Sequence, residues 1–163
     1  MKEHYSFMIE NSESYKVHIV ILTWNNNKIL KRCLESIENV DHKNFTISVI
    51  DNNSSDDSLS MISENFPNVQ TIKNSKNFKF GRGYNEGLKK INVEDNDFII
   101  LLNDDTIVSR NFIDELINPL AKDQKAIIST PKILYSSNIN KIWYAGGVCL
   151  LYTSDAADDV LWV

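Results

Sequence analysis

The chain has 163 residues, 42% of them apolar and 24% charged, with a formal net charge of −5. That length supports about one domain with a real hydrophobic core, and the composition is ordinary for a soluble globular protein. The acidic balance and the lack of a long basic run argue against nucleic acid as a main partner, and no apolar run approaches a membrane span.

Residues 1–16, "MKEHYSFMIENSESYK", form a polar leader without a signal-peptide apolar core. This favours the cytoplasm and leaves open docking of the full-length protein on the inner membrane surface. Residues 17–24, "VHIVILTW", are a β-branched run expected to form a strand buried on both faces. Ile29, Leu30, Cys33, Leu34 and Ile37 then share a helical stripe that Asn25 or Asn26 can cap. "FTISVID" (45–51) predicts a second strand, and Ser54 or Ser55 can cap a short helix to about Asn65. Residues 69–74, "VQTIKN", predict a third strand.

"GRGYNEGLKKI" opens with glycines and becomes helical, with Tyr84, Leu88 and Ile91 at helical spacing. "DFIILLN" (97–103) predicts the fourth strand. Ser109 can cap the next helix, whose apolar face is Phe112, Ile113, Leu116 and Ile117, with Leu120 beyond Pro119. "AIISTPKILY" and "KIWYAGGV" predict two more strands, joined as a hairpin through "SSNIN". Cys33 and Cys149 are too few for a disulfide framework and form no CxxC; Cys33, on the apolar stripe, reads as a core thiol.

The alternation of strand and helix predicts an α/β fold, an open and mostly parallel sheet flanked by helices. Such sheets bind ligands beyond the carboxyl ends of their strands. Three polar clusters fall there: Thr23 to Asn25, Asp51 to Asn53, and Asn103 to Asp105. Adjacent carboxylates such as Asp104 and Asp105 repel each other unless a cation is near. A hard divalent ion, Mg²⁺ or Mn²⁺, takes one or two oxygens from protein and the rest from water and phosphates. The pair also suits a solvated turn. Asp51 can accept the ring N–H of uracil or thymine, or hold its own turn. Thr23 and Asn25 can frame a nucleobase, although Asn25 serves equally as a helix cap. "GRGYNEG" has one residue too many for the dinucleotide fingerprint and follows the wrong strand. Gly81 and Gly83 can let backbone approach a ligand at a helix start, with Lys79 or Arg82 near phosphate; a plain turn is the alternative.

Together, "VHIVILTWNN", "ISVIDNNSSDDS", "NFKFGRGYNEGL" and "FIILLNDDTIVSRNFIDEL" resemble the amino-terminal half of a family-two glycosyltransferase with the GT-A, nucleotide-diphospho-sugar transferase fold. The resemblance is greatest to bacterial rhamnosyltransferase-like members and covers roughly residues 17–121; "IWYAGGV" also fits. It implies an inverting, metal-dependent transfer of a sugar, rhamnose among the candidates, from a dTDP- or UDP-linked donor to a saccharide or lipid-linked acceptor. By position, Asp51 would contact the base, Asp104 would lie near the ribose, and Asp105 would be the metal ligand of a DxD-type motif. Asn103 takes the place of the first acid; Gly83 and Asn85 would line the nucleotide pocket, with Asn53 on the same loop as Asp51.

Residues 149–163 differ in style, and "CLLYTSDAAD" resembles a translated sequencing adapter. The expectation is an incomplete GT-A domain over 17–148 followed by a non-native tail. In such enzymes the base that deprotonates the acceptor lies downstream, so no catalytic residue is assigned. Asp158 and Asp159 mimic an acid pair but fall in the foreign segment. A haloacid-dehalogenase-like phosphatase would need a nucleophilic Asp where Asn103 stands, and a signalling receiver domain would need a strand-end Lys for which Lys132 is a poor fit. An inert truncated domain, or a nucleotide-binding module without activity, is the remaining alternative.

Overall fold

The computed structural model describes residues 15–123 and 125–146. Most of the polar leader, Gly147, Val148 and the segment 149–163 with Cys149, Asp158 and Asp159 lie outside the described residues. The described chain divides into two compact units, meeting in sequence between Ser129 and Thr130.

The first unit is built on a parallel sheet of β1 (Val17–Thr23), β2 (Phe45–Asp51), β3 (Gln70–Lys73) and β4 (Phe98–Asn103), in the order β3-β2-β1-β4. Between and after the strands run α1 (Asn27–Ile37), α2 (Ser58–Asn65), α3 (Phe80–Leu88) and α4 (Phe112–Lys122). Side chains alternate along each strand. Val17, Ile19 and Ile21 therefore join Val49 and Ile100 on one face, where residues of α1, α2 and α4 cover them. Val20, Ile50 and Ile72 point to the other face, beneath Tyr84 of α3. Central β1 is buried on both faces, which is why its sequence is a continuous apolar run. Of the expected stripe, Leu30, Cys33, Leu34 and Ile37 are fully buried, each large aliphatic side chain contributing roughly 1.5–3 kcal/mol, whereas Ile29 is exposed.

The helix starts depart from expectation. Asn26 is the N-cap residue of α1, yet its side chain makes no capping bond. The Asn27 N–H is satisfied instead by Asp56 Oδ2, at 3.1 Å, from the loop after β2. Neither Ser54 nor Ser55 caps α2; its N-cap is Asp57, and Asp56 Oδ1 accepts from the Ser58 N–H at 3.1 Å and hydroxyl at 2.6 Å. Ser109 does not cap α4, whose N-cap is Asn111; the Ser109 carbonyl accepts the Phe112 N–H at 3.2 Å. Asn25, Ser54 and Ser55 are absent from the caps because they bond to one another across two loops, a competing use of short polar side chains.

α3 starts at Phe80, so the glycines lie within the helix rather than ahead of it. A Cβ on Gly87 would overlap Ile50 Cδ1 and Cγ1, and one on Gly83 would meet Leu22 Cδ1 at 3.0 Å and Asn52 Nδ2 at 3.1 Å. The helix lies close on β1 and β2 because those two positions carry no side chain.

The second unit is an antiparallel hairpin of β5 (Ile133–Tyr135) and β6 (Asn138–Tyr144). The strand expected over 126–135 shrinks to three residues, because Pro131 lacks an N–H and interrupts pairing. Asn138 to Asn140, expected in the turn, belong to β6. Among the described residues no helix is long and apolar enough to cross a membrane.

Candidate functional site

Because all four strands of the sheet run the same way, their carboxyl ends form one edge. Thr23 is the register partner of Asp51, and Leu22 is the partner of Asn103. Asp51, Thr23 and the Asn103–Asp105 cluster are thus consecutive along that edge, as expected from the sequence. The buried Thr23 Oγ1 donates to Asp104 Oδ2 at 2.7 Å. Asp105 is exposed, beside Asp104 in a turn closed by the Thr106 hydroxyl on the Asn103 carbonyl at 2.6 Å.

Two buried groups line the underside of this turn. The Tyr84 hydroxyl donates to the Leu102 carbonyl at 2.9 Å and accepts from the Leu22 N–H at 3.3 Å, bridging β1 and β4. Burial pushes its pKa up to about 12, and the Asp104 charge adds to the shift. Cys33 Sγ lies 3.7 Å from the Asn103 carbonyl. Burial pushes this thiol up to about 11, with the Thr106 hydroxyl opposing and the charges of Asp104 and Asp105 adding. Cys33 is therefore a protonated core thiol under the acid turn, as the sequence led one to expect.

Asp51 is fully buried, and its oxygens stand 3.0 and 3.2 Å from the Ser54 N–H that they accept. Above it the first two loops are clasped. Asn25 N–H donates to Ser54 Oγ at 2.9 Å, and Asn25 Oδ1 accepts from the Ser55 N–H at 2.7 Å. Asn25 (φ 52°) and Asn53 (φ 66°) both take the left-handed conformation that asparagine tolerates better than most residues.

Asn52, within the expected Asp51–Asn53 cluster but given no role of its own there, holds the third loop together with Asn74 and Asn77. Asn52 is buried; its Nδ2 donates to Asn77 Oδ1 at 2.9 Å and to the Lys79 carbonyl at 3.2 Å, while its Oδ1 accepts from Asn74 Nδ2 at 3.1 Å and the Phe78 N–H at 3.1 Å. Asn74 Nδ2 also reaches the Gly83 carbonyl at 3.2 Å. The density of asparagine in "DNNSSD" and "NSKN" was the available signal. This network holds Lys79 at φ 66° and ψ −169°, a region that is essentially glycine-only.

The remaining candidates have other contacts. Arg82 lies over the Phe78 ring at 4.7 Å and near Glu86, and Asn85 is exposed on α3. Gly83 packs inward against Leu22 and Asn52, so its small size answers to helix–sheet packing. A cavity of about 330 Å³ opens by the end of β3, lined by Asn53, Lys73, Asn74, Ser75, Phe78, Glu86 and Lys90. Of the expected site residues it contains Asn53 alone, and the acid pair lies outside it.

The family model described as "Glycosyl transferase family 2" matches residues 18–157. The chain belongs to glycosyl transferase family 2. The match spans the described sheet and continues into the segment beginning at Cys149. A Methanococcus voltae dolichyl N-acetyl-alpha-D-glucosaminyl phosphate 3-beta-D-2,3-diacetamido-2,3-dideoxy-beta-D-glucuronosyltransferase is 27% identical, over 79% of this chain and 48% of its own length. A Campylobacter jejuni GalNAc(5)-diNAcBac-PP-undecaprenol beta-1,3-glucosyltransferase is 32% identical, over 55% of this chain and 29% of its own. The chain thus spans about half of the first relative and less than a third of the second.

The fold is GT-A-like, a mostly parallel central sheet flanked by helices. The Pyrobaculum calidifontis mannosyltransferase PcManGT, solved with GDP-Man and Mn²⁺, superposes with a TM-score of 0.59 at 16% identity, over 73% of this chain and 38% of that one. S. aureus TarS 1–349 with UDP gives 0.54 at 20% identity, over 61% and 30%.

Proposed function

We propose that this chain carries the donor-binding part of a glycosyltransferase that moves a sugar, with inversion, from a UDP- or dTDP-linked donor to a saccharide or lipid-linked acceptor. The observation that carries the reading is the position of Thr23, bonded to Asp104 and paired in register with Asp51, which sets both acid sites on one strand edge. Family membership supports transfer chemistry. The two curated relatives have lipid-linked sugars in their names, which supports a lipid-linked acceptor. Rhamnose rests on the sequence resemblance.

Among the described residues no three His, Cys, Asp or Glu side chains cluster to hold a metal by themselves. The donor set at the turn nevertheless fits a hard ion: Asp105 supplies an exposed carboxylate and Asn103 a neutral oxygen, with phosphate and water completing the shell. Bound there, Mg²⁺ or Mn²⁺ would neutralise charge building on the departing diphosphate. Thr23 holds Asp104 toward the edge, which orients it for a ribose hydroxyl. Asp51 lies beneath Ser54, so direct contact with a base N–H requires the Asn25–Ser54–Ser55 clasp to open; while closed, Asp51 positions that loop. Lys79, at the start of α3, is the cation proposed for phosphate, with Arg82 and Asn85 more distant contributors.

Calorimetry with UDP, dTDP and GDP, each with and without Mn²⁺, tests the reading. Metal-dependent binding of a pyrimidine nucleotide, lost in Asp105→Asn, is expected. No binding with or without metal would remove the donor site and leave an inert domain.

A further inference from the structure

Tyr84 is 3% exposed and packs among Val20, Ile50 and Ile72, with the Phe80 ring edge-on at 5.2 Å. Its hydroxyl meets two backbone groups whose roles are fixed, because the Leu22 N–H can only donate and the Leu102 carbonyl can only accept. The phenolic proton therefore goes to Leu102, at 2.9 Å, and the oxygen takes the Leu22 N–H at 3.3 Å. Leu22 immediately precedes Thr23, and Leu102 immediately precedes Asn103. Among the described residues no other side chain of α3 bonds to β1 or β4.

Packing alone does not call for this hydroxyl. A phenylalanine would fill the same space without a polar group that burial obliges to find partners. The partners it has found are the residues that lead into the acid edge. A diphosphate gripped by Lys79 at one end and by an ion on Asp105 at the other needs both supports held at a fixed separation. Lys79 is the N-cap of α3 and Asp105 follows β4, so the Tyr84 hydroxyl is a direct bond between the two supporting elements. Groups that hold a metal's ligands in place without touching the metal commonly set its affinity. We propose that Tyr84 is a positioning residue for the metal-bound diphosphate, fixing the backbone from which Asn103 and Asp105 present their oxygens and tying it to the helix that starts at Lys79. This rests on the donor reading of the acid turn and adds to it a residue that touches neither nucleotide nor metal.

Tyr84→Phe keeps the ring and its packing and removes only the hydroxyl. Calorimetry with UDP, with and without Mn²⁺, and electron paramagnetic resonance of Mn²⁺ in the presence of UDP read its effect. Metal-dependent UDP binding should weaken about 10–100-fold, and metal-free UDP binding should stay as in the parent. Ile72→Val loosens the same apolar cluster but leaves the hydroxyl in place, so it should lower the melting temperature with the Mn²⁺ dependence intact. A chain carrying fluorotyrosine at position 84 keeps the hydroxyl and gives a second readout that does not depend on the phenylalanine variant folding. Its fluorine resonance should move when Mg²⁺ is added to the UDP-bound chain and stay still when Mg²⁺ is added without nucleotide to Asp105→Asn. Unchanged metal-dependent binding in Tyr84→Phe, equal losses with and without metal, or a fluorine signal indifferent to Mg²⁺ would overturn the proposal while leaving the donor reading in place. A parent chain that shows no metal-dependent UDP binding would remove the donor reading itself, and this proposal with it.

Discussion

Thr23 Oγ1 donates to Asp104 Oδ2 across 2.7 Å, and the same threonine is the register partner of Asp51. One β1 residue therefore ties the edge's central strand to the acid turn on one side while lying beside the buried acid on the other. Thr23→Val preserves shape but leaves the carboxylate without its donor. The expected loss is about 1.5–3 kcal/mol of unfolding free energy, the usual range for bonds to charged groups. Thr23→Ser should keep most of the stability. Chemical denaturation of the three proteins measures the difference, and the valine variant should also lose its metal-dependent response to nucleotide.

The glycines of α3 predict opposite effects within one helix. Gly87→Ala drives a methyl group into Ile50 and should cost about 1–3 kcal/mol, as overpacking does. Gly81→Ala meets nothing within 4 Å and should stabilise by about 0.5–1 kcal/mol through helix propensity. Equal effects from the two in thermal melts would contradict the packing described.

Lys79 occupies a backbone region suited to glycine, at φ 66° and ψ −169°. Lys79→Gly should relieve about 1–3 kcal/mol of strain and raise the melting temperature. If the ammonium contacts the donor phosphates as proposed, the same variant binds nucleotide more weakly. Greater stability with poorer binding is the expected pair of results, read by melting and calorimetry on one sample.

At the opposite end of β1, His18 Nε2 lies 2.8 Å from Asp97 Oδ2 and His18 Nδ1 lies 3.0 Å from Thr46 Oγ1. The bond from His18, helped by the Glu94 N–H, holds the Asp97 carboxyl below its ordinary value of 3.8. A depressed carboxylate stabilises the fold above its unfolded-state value, and that contribution is lost as pH falls through the folded-state value. Asp97→Asn should therefore destabilise at neutral pH, with the gap from the parent closing as the pH falls below about 4. Melting curves across the acid range check this; a gap that stays constant would refute it.

The run "VHIVILT" announced a central strand because a strand buried on both faces has no solvent side to mark with polar residues. The "NDD" turn was legible for the converse reason, since charges seldom end an apolar run without an edge to face. The caps were harder to read. Asn25, Ser54 and Ser55 can each satisfy a local helix start, and only the packing of two loops shows that they bond to each other instead. The asparagine network stayed hidden because Asn52, Asn74 and Asn77 meet across sequence gaps that no local pattern encodes.

From the sequence alone came the alternation of strand and helix, the strand-end acids and the family likeness, all of which rest on local periodicity and short motifs. The tertiary structure alone decided that Asp51 is sealed beneath Ser54, that Gly83 and Gly87 serve helix–sheet contact, and that Lys79 is held strained. Burial and bond partners depend on what the rest of the chain brings alongside, and a linear pattern carries only part of that information.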